Sequence, residues 1–267
     1  FFMEGVSEQY MIGMSAGLAL EGYRPYVNTI GSFITKRCYE QIYIDICLQK
    51  LPVVIAGIGG GAVYAPLGPT HLNLDDYLLM KNIPNLNVFA PCDSNEMDEL
   101  IQQSINFKNP SYIRLGKGGE KIVSNVKPKN YSLFKSFKYF DSDKFFIFTT
   151  GSMLQTAIEV SLKFRSIGVD IGVLSIPCIK PLDNHLFKII DKIDRVFVLE
   201  EHFENGGLGS SILDILSKKN PNNLSKICKY GINNEFCHKY GSQFELLRYW
   251  RLDEKNIFKK IYKELCS

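Results

Sequence analysis

The sequence predicts an α/β protein of two domains, each with a mostly parallel sheet flanked by helices. Three observations point there. Apolar runs of strand length alternate with segments of helical period. Several of these runs end in glycine-containing loops that lead into the next helix, as right-handed β–α–β units require. The stretch Gly116 to Ser142, rich in Gly, Lys, Asn and Ser, carries little period of either kind and divides the chain. Domains are therefore expected at 1–125 and 143–267, joined by a linker at 126–142.

In order, Ser7 is a candidate cap for a helix from Glu8 to Leu20, where Met11, Met14 and Leu18 share a helical spacing. Gly22 supplies its stop. Pro25 to Thr29 reads as a strand and Lys36 to Leu48 as a helix. Leu51 to Ala56 (LPVVIA) is a continuous apolar run before glycines, the pattern of a buried parallel strand. Asn73 to Met80 reads as helix, Val88 to Ala90 as strand, Ser94 to Ile105 as helix and Ser111 to Leu115 as strand. Beyond the linker, strands are expected at Lys144 to Thr150, Val169 to Ser175 and Arg195 to Glu200. Helices are expected at Met153 to Ser166, Asn184 to Lys192 and Gly206 to Leu216.

Composition sets the class. The 267 residues are 45% hydrophobic and 22% charged, an ordinary globular profile. With 31 basic and 28 acidic residues, the charge is too balanced for a nucleic-acid footprint. No apolar run reaches the roughly 18 residues that span a membrane. The seven cysteines form no C-x-x-C pair, and such a scattered, odd set fits a reducing cytoplasm.

Four constellations can carry chemistry. Glu8 lies in Gly5-Val6-Ser7-Glu8-Gln9 ahead of an apolar helix. By position alone it is an acid in a helix's first turn, favoured by the backbone dipole. The second, GIGGGAVYAPLGPTH (57–71), follows a buried strand, where parallel sheets bind ligands. Its His71 is either a surface-loop histidine or a proton carrier near neutral pH. In the third, RLGKGG (114–119), Arg114 and Lys117 either hold an anion or decorate a solvated turn. The fourth joins Glu200-Glu201-His202 to Gly206-Gly207-Leu208-Gly209-Ser210. Glycines there favour tight helix–sheet packing over an anion site.

Taken in order, these motifs resemble the pyrimidine-binding and C-terminal domains of the transketolase family. FFMEGVSEQYMIGMSAGLALEGYRPYV is similar to the family's R-F-x-x-G-I-x-E-Q segment and the helix after it. SFITKRCYEQIYIDI, GGGAVYAPLGPTHLNLDD, PNLNVFAPCDSNE and PSYIRLGKG continue the register. GSMLQTAIEV, PLD and EEHFENGGLGSS resemble the C-terminal domain.

The resemblance implies thiamine diphosphate as cofactor. It makes Glu8 the carboxylate that hydrogen-bonds the aminopyrimidine and shifts it toward the imino tautomer, so that the thiazolium carbon can be deprotonated. It makes Phe33 the ring that stacks on the pyrimidine, with Ile30 and Arg37 as further candidates for that pocket. His71 matches a histidine that contacts substrate hydroxyls. Lys117 falls where relatives carry an arginine for substrate phosphate, with Arg114 beside it. Leu67 stands where full-length members place an aspartate that reads a sugar hydroxyl, which puts ordinary pentose-phosphate substrates in question.

No G-D-G…N motif is found in the sequence. The resemblance therefore implies that the diphosphate and its Mg2+ (or Ca2+) are held by a partner, the diphosphate-binding transketolase N-terminal subunit. It also implies self-association to a dimer within a heterotetramer, and sugar-phosphate substrates. The chain opens in mid-pattern at Phe1, where the family's domain has a preceding strand and helix. The expected activity is transfer of a two-carbon ketol unit. Deoxyxylulose-phosphate synthase and the beta subunit of 2-oxoacid dehydrogenases are the alternatives with the same cofactor, and a non-catalytic subunit is the alternative of another class.

Overall fold

The apolar run after Leu51 lies inside a sheet. The computed structural model, which describes residues 1–124 and 131–266, places it as β2 (Val54–Ile58) between β1 (Tyr26–Ile30) and β4 (Ser111–Leu115). All three run parallel, with Val54 opposite Ser111 and Gly57 opposite Arg114. β3 (Asn87–Phe89) adds parallel outside β4. The second sheet has the order β10 (Ile227–Ile232), β9 (Arg195–Phe203), β6 (Phe145–Thr149), β7 (Gly172–Ser175) and β5 (Phe137–Phe140). It is parallel except for β5, which runs against β7. The predicted architecture is therefore the observed one.

Three edge strands were not expected: β10, which pairs parallel with β9, and one antiparallel strand at the edge of each sheet. β5 lies within the segment read as a linker; residues 126–130 of that segment fall outside the described residues. β8 (Cys178–Lys180) comes from the second half of the chain yet pairs antiparallel with β3 in the first sheet. Each sheet so ends in an antiparallel strand that closes its edge. The two halves also share one apolar core, running from Ile12 and Ile55 to Phe148 and Val198.

The helices follow the sequence with local corrections. α1 (Glu8–Leu20) has the expected bounds. Ser7 occupies its N-cap position without capping it: the hydroxyl donates to the Glu4 carbonyl. Gly22, at φ +90, closes the helix in a Schellman motif, with Gly22 N donating to Ala19 O and Tyr23 N to Leu18 O.

The helix expected over 36–48 is broken. α2 (Gly31–Arg37) starts earlier and stops at Cys38, whose φ of −103 and ψ of 13 leave the helical region. The single turn α3 (Tyr39–Gln41) and a π-helical segment (Ile42–Leu48) continue the chain.

α4 (Asp76–Lys81) begins three residues later than predicted. α5 (Ser94–Ser104) is capped by Asp93, which accepts from Glu96 N at 3.1 Å. α6 (Met153–Arg165), α7 (His185–Lys192) and α8 (Leu208–Lys219) fall where expected, while β10, α9 (Gln243–Tyr249) and α10 (Glu254–Cys266) had no sequence counterpart. No helix among the described residues is long and apolar enough to cross a membrane.

Candidate functional site

β1 delivers the chain to α2 at Ile30, which is half-buried and takes the N-cap position. Gly31 follows because a Cβ there would collide with the Asn73 amide. Phe33 and Arg37 then sit one helical turn apart, a spacing at which side chains meet. The Arg37 guanidinium lies 4.1 Å over the Phe33 ring. From α1, Glu8 approaches the same group. Arg37 Nη1 donates to both Glu8 oxygens, at 3.3 and 3.2 Å. Glu8 is 8% exposed at its side chain and Arg37 49%.

The glycine-rich loop brings in the fourth member. Its 3-10 turn, Ala65–Leu67, and Gly68 carry the chain to His71, whose ring meets Phe33 edge-on with centroids 5.0 Å apart. Tyr64 also meets that imidazole edge-on, with centroids 6.4 Å apart. Thr70 Oγ1 lies 2.9 Å from His71 Nδ1. Glu8, Arg37, Phe33 and His71 thus form one continuous string of contacts drawn from α1, α2 and the loop after β2. Leu67 is exposed on the 3-10 turn.

Arg114 and Lys117 go elsewhere. Arg114 is buried, and its guanidinium is tied internally. Nη2 donates to the Glu201 and Asn73 carbonyls at 2.7 and 3.2 Å, Nε lies 3.6 Å from Asp76 Oδ2, and the guanidinium stacks 4.4 Å over Tyr77. Burial works against this charge, but Asp76 and the other anionic oxygens around it outweigh burial and hold Arg114 protonated above its ordinary range. Asp76 is itself pushed up by burial and takes a 2.9 Å hydrogen bond from Tyr112. As a free anion ligand Arg114 is spent. Lys117 is exposed in the loop after β4. Both line a cavity of about 420 Å3 between the two sheets, with Gly60, Thr150, Ser152 and Glu201.

The glycines of the 57–71 loop serve the protein's own side chains. A Cβ on Gly59 would strike Tyr64, on Gly60 Arg114, and on Gly61 the Glu201 carboxylate. Glu201 joins the halves by accepting from Ala62 N at 2.8 Å, Ser152 Oγ at 3.1 Å and Gln243 Nε2 at 3.0 and 2.9 Å. The Gly206–Gly209 loop likewise surrounds an internal anion. Glu200 accepts from Leu208 N at 2.6 Å and Gly209 N at 3.0 Å at the start of α8. Burial pushes its carboxyl up to about 7, against those two N–H groups. His202 is stacked 4.9 Å from Tyr77, and burial holds it down at about 3. Sequence reasoning named Glu200 and His202 without assigning these roles: the amides that meet Glu200 lie in the glycine run read there as helix–sheet packing, and Tyr77, which meets His202, comes from a distant segment.

Two family models match this chain: the transketolase pyrimidine-binding domain over residues 1–119 and the transketolase C-terminal domain over 140–257. One of the subunits of apulose-4-phosphate transketolase from Phocaeicola vulgatus is 30% identical over 96% of this chain and 80% of its own length. The chain belongs to the transketolase family.

This transketolase-family chain is also 33% identical to 1-deoxy-D-xylulose-5-phosphate synthase of Caldanaerobacter subterraneus subsp. tengcongensis, over 99% of the chain and 42% of that enzyme. It spans about two fifths of the length of the synthases it matches. Among solved structures, a split gene transketolase described as an inactive beta4 tetramer superposes with a TM-score of 0.86 at 28% identity, over 98% of this chain and 83% of that one. In this transketolase-family fold, Glu8 to His71 fall in the pyrimidine-binding match, and Glu200 and Glu201 in the C-terminal match.

Proposed function

We propose that this chain is the cofactor-activating subunit of a thiamine-diphosphate-dependent transferase that moves a two-carbon ketol unit between sugar phosphates or related sugars. The carrying observation is the Arg37 guanidinium held between Glu8 and Phe33. A guanidinium is a flat, stacking hydrogen-bond donor. An aminopyrimidine makes the same demands, so these two side chains have the shape and chemistry to hold one. When bound, the cofactor supplies a carbanion equivalent for carbon–carbon bond cleavage and formation.

With the cofactor bound, Glu8 would hydrogen-bond the pyrimidine ring nitrogen and share its carboxyl proton with it, in the low-dielectric setting that its burial provides. Phe33 stacks on the ring, with Ile30 at the adjoining strand end. His71, held edge-on to Phe33, presents its imidazole to substrate hydroxyls. Lys117, exposed in the loop after β4 and apart from the Glu8–His71 string, is left as the point charge for a substrate phosphate. Arg114 is left out of this role because its guanidinium is already spoken for.

The diphosphate and its Mg2+ or Ca2+ are assigned to a partner, the diphosphate-binding N-terminal subunit. The apulose-4-phosphate transketolase relative, itself named as one subunit of its enzyme, supports this assignment. Self-association is supported by α1, which is apolar on all sides and leaves Tyr10 and Leu20 exposed. The superposed relative, described as an inactive beta4 tetramer, supports association between copies of this chain; the heterotetramer with the partner subunit is proposed beside it. The chain is read as domains 1–125 and 143–267 with 126–142 between them. Free cysteines, Cys38 and Cys47 among them, fit a cytoplasmic setting.

A synthase-type reaction on pyruvate is the second reading, favoured by the 33% identity to the deoxyxylulose-phosphate synthase. The deciding experiment reconstitutes the chain with its partner subunit, cofactor and magnesium. Ketol transfer from a ketose phosphate supports the first reading. Condensation of pyruvate supports the second, and turnover by the chain alone sinks the two-subunit assignment.

A further inference from the structure

We propose that Arg37 is a displaceable internal occupant of the aminopyrimidine seat, released when the cofactor enters. The inference rests on the reading of Glu8 and Phe33 given above. Arg37 engages the very groups assigned to the pyrimidine: both Glu8 oxygens and one face of Phe33. The partners are unequal. Glu8 is nearly buried at 8% side-chain exposure, whereas Arg37 is 49% exposed in the last turn of α2. The guanidinium can therefore swing into water while Glu8 and Phe33 stay in place. Its backbone is separately anchored, since Gln9 Nε2 donates to the Arg37 carbonyl at 3.1 Å.

Such an occupant acts in two ways. It neutralises a buried carboxylate and covers an aromatic face, which keeps the seat shaped. It also competes with the cofactor, so the apparent affinity falls by the fraction of time that the seat is open. This differs from a direct ligand, which would stay in contact with the bound ring and raise affinity.

The test measures the dissociation constant of thiamine diphosphate with magnesium by calorimetry on the reconstituted complex. Wild type, Arg37→Ala and Arg37→Lys are compared. A half-exposed ion pair with a cation–π contact is weak, so Arg37→Ala is expected to tighten binding about three- to tenfold and to speed association. Arg37→Lys, which keeps the charge but loses the flat stack, is expected to fall between. Unchanged or weaker binding by Arg37→Ala overturns the proposal and leaves the cofactor assignment standing. Absence of binding by all three overturns that assignment, and this proposal with it.

Discussion

The Arg37 guanidinium lies 4.1 Å over the ring of Phe33 and reaches both carboxylate oxygens of Glu8, at 3.3 and 3.2 Å. The first expectation concerns Glu8. Glu8→Gln keeps shape and one acceptor but removes the shared proton. Loss of a proton-transfer partner costs about 10²- to 10⁴-fold in rate, and kcat of the reconstituted complex is expected to fall by that order. The ion pair involves a half-exposed arginine, so unfolding stability should change by no more than about 1 kcal/mol. Steady-state rates and urea titrations separate the two effects. Full activity in Glu8→Gln would remove Glu8 from the mechanism.

Arg114 is expected to behave as an internal tie. Arg114→Met strands Asp76, whose carboxyl is fully buried, and breaking a buried pair from one side costs about 3–5 kcal/mol. Arg114→Lys cannot restore the two carbonyl hydrogen bonds and the Tyr77 stack together. Chemical denaturation should show the loss in both variants. A variant that folds with native stability and only a raised substrate KM would return Arg114 to the substrate ligands.

Glu200 makes a pH prediction with a definite sign. Its carboxyl sits at about 7 in the fold, pushed up by burial from the ordinary 4.5 of a glutamate. The folded state therefore binds the proton more tightly than the unfolded chain does. This contribution is fully present below about pH 4.5 and is lost as pH rises through 7. At about 1.4 kcal/mol per unit the loss is on the order of 3 kcal/mol. Glu200→Gln cannot titrate, and it gives up one of the two backbone hydrogen bonds at the start of α8. Its stability relative to wild type should therefore improve between pH 5 and pH 8, read from urea midpoints at each pH. A constant difference across that range would refute the assignment.

Gly61 is expected to be irreplaceable. It sits at φ +72, and a Cβ there would collide with the Glu201 carboxylate that bridges the halves of the chain. Positive φ alone costs about 1–2 kcal/mol in an L residue, and displacing Glu201 adds a lost buried hydrogen bond. Gly61→Ala should lose at least about 2 kcal/mol by denaturation. Gly13→Ala is the control: an added Cβ there meets nothing, and alanine favours the helix.

Much of this protein was legible in sequence because the signals are local. The period of α1 with its Gly22 stop, the apolar run of β2, and the ordered motifs around Glu8, Phe33 and His71 each reside within a few residues. They determine element type, order and family. Tertiary structure decided what depends on partners far along the chain. β8 crosses back to β3 because an edge strand takes its pairing from a distant segment. Arg114 reads as a surface cation until Asp76, Asn73 and Glu201 close around it. The glycines after β2 read as a ligand loop until Tyr64, Arg114 and Glu201 fill the space they leave. Burial energies, and the charges they permit, depend on which surfaces meet. Local spacing set Phe33 and Arg37 one turn apart, but it carries no record of which surfaces meet, and so Glu8 closing on the same guanidinium from α1 had to be seen in three dimensions.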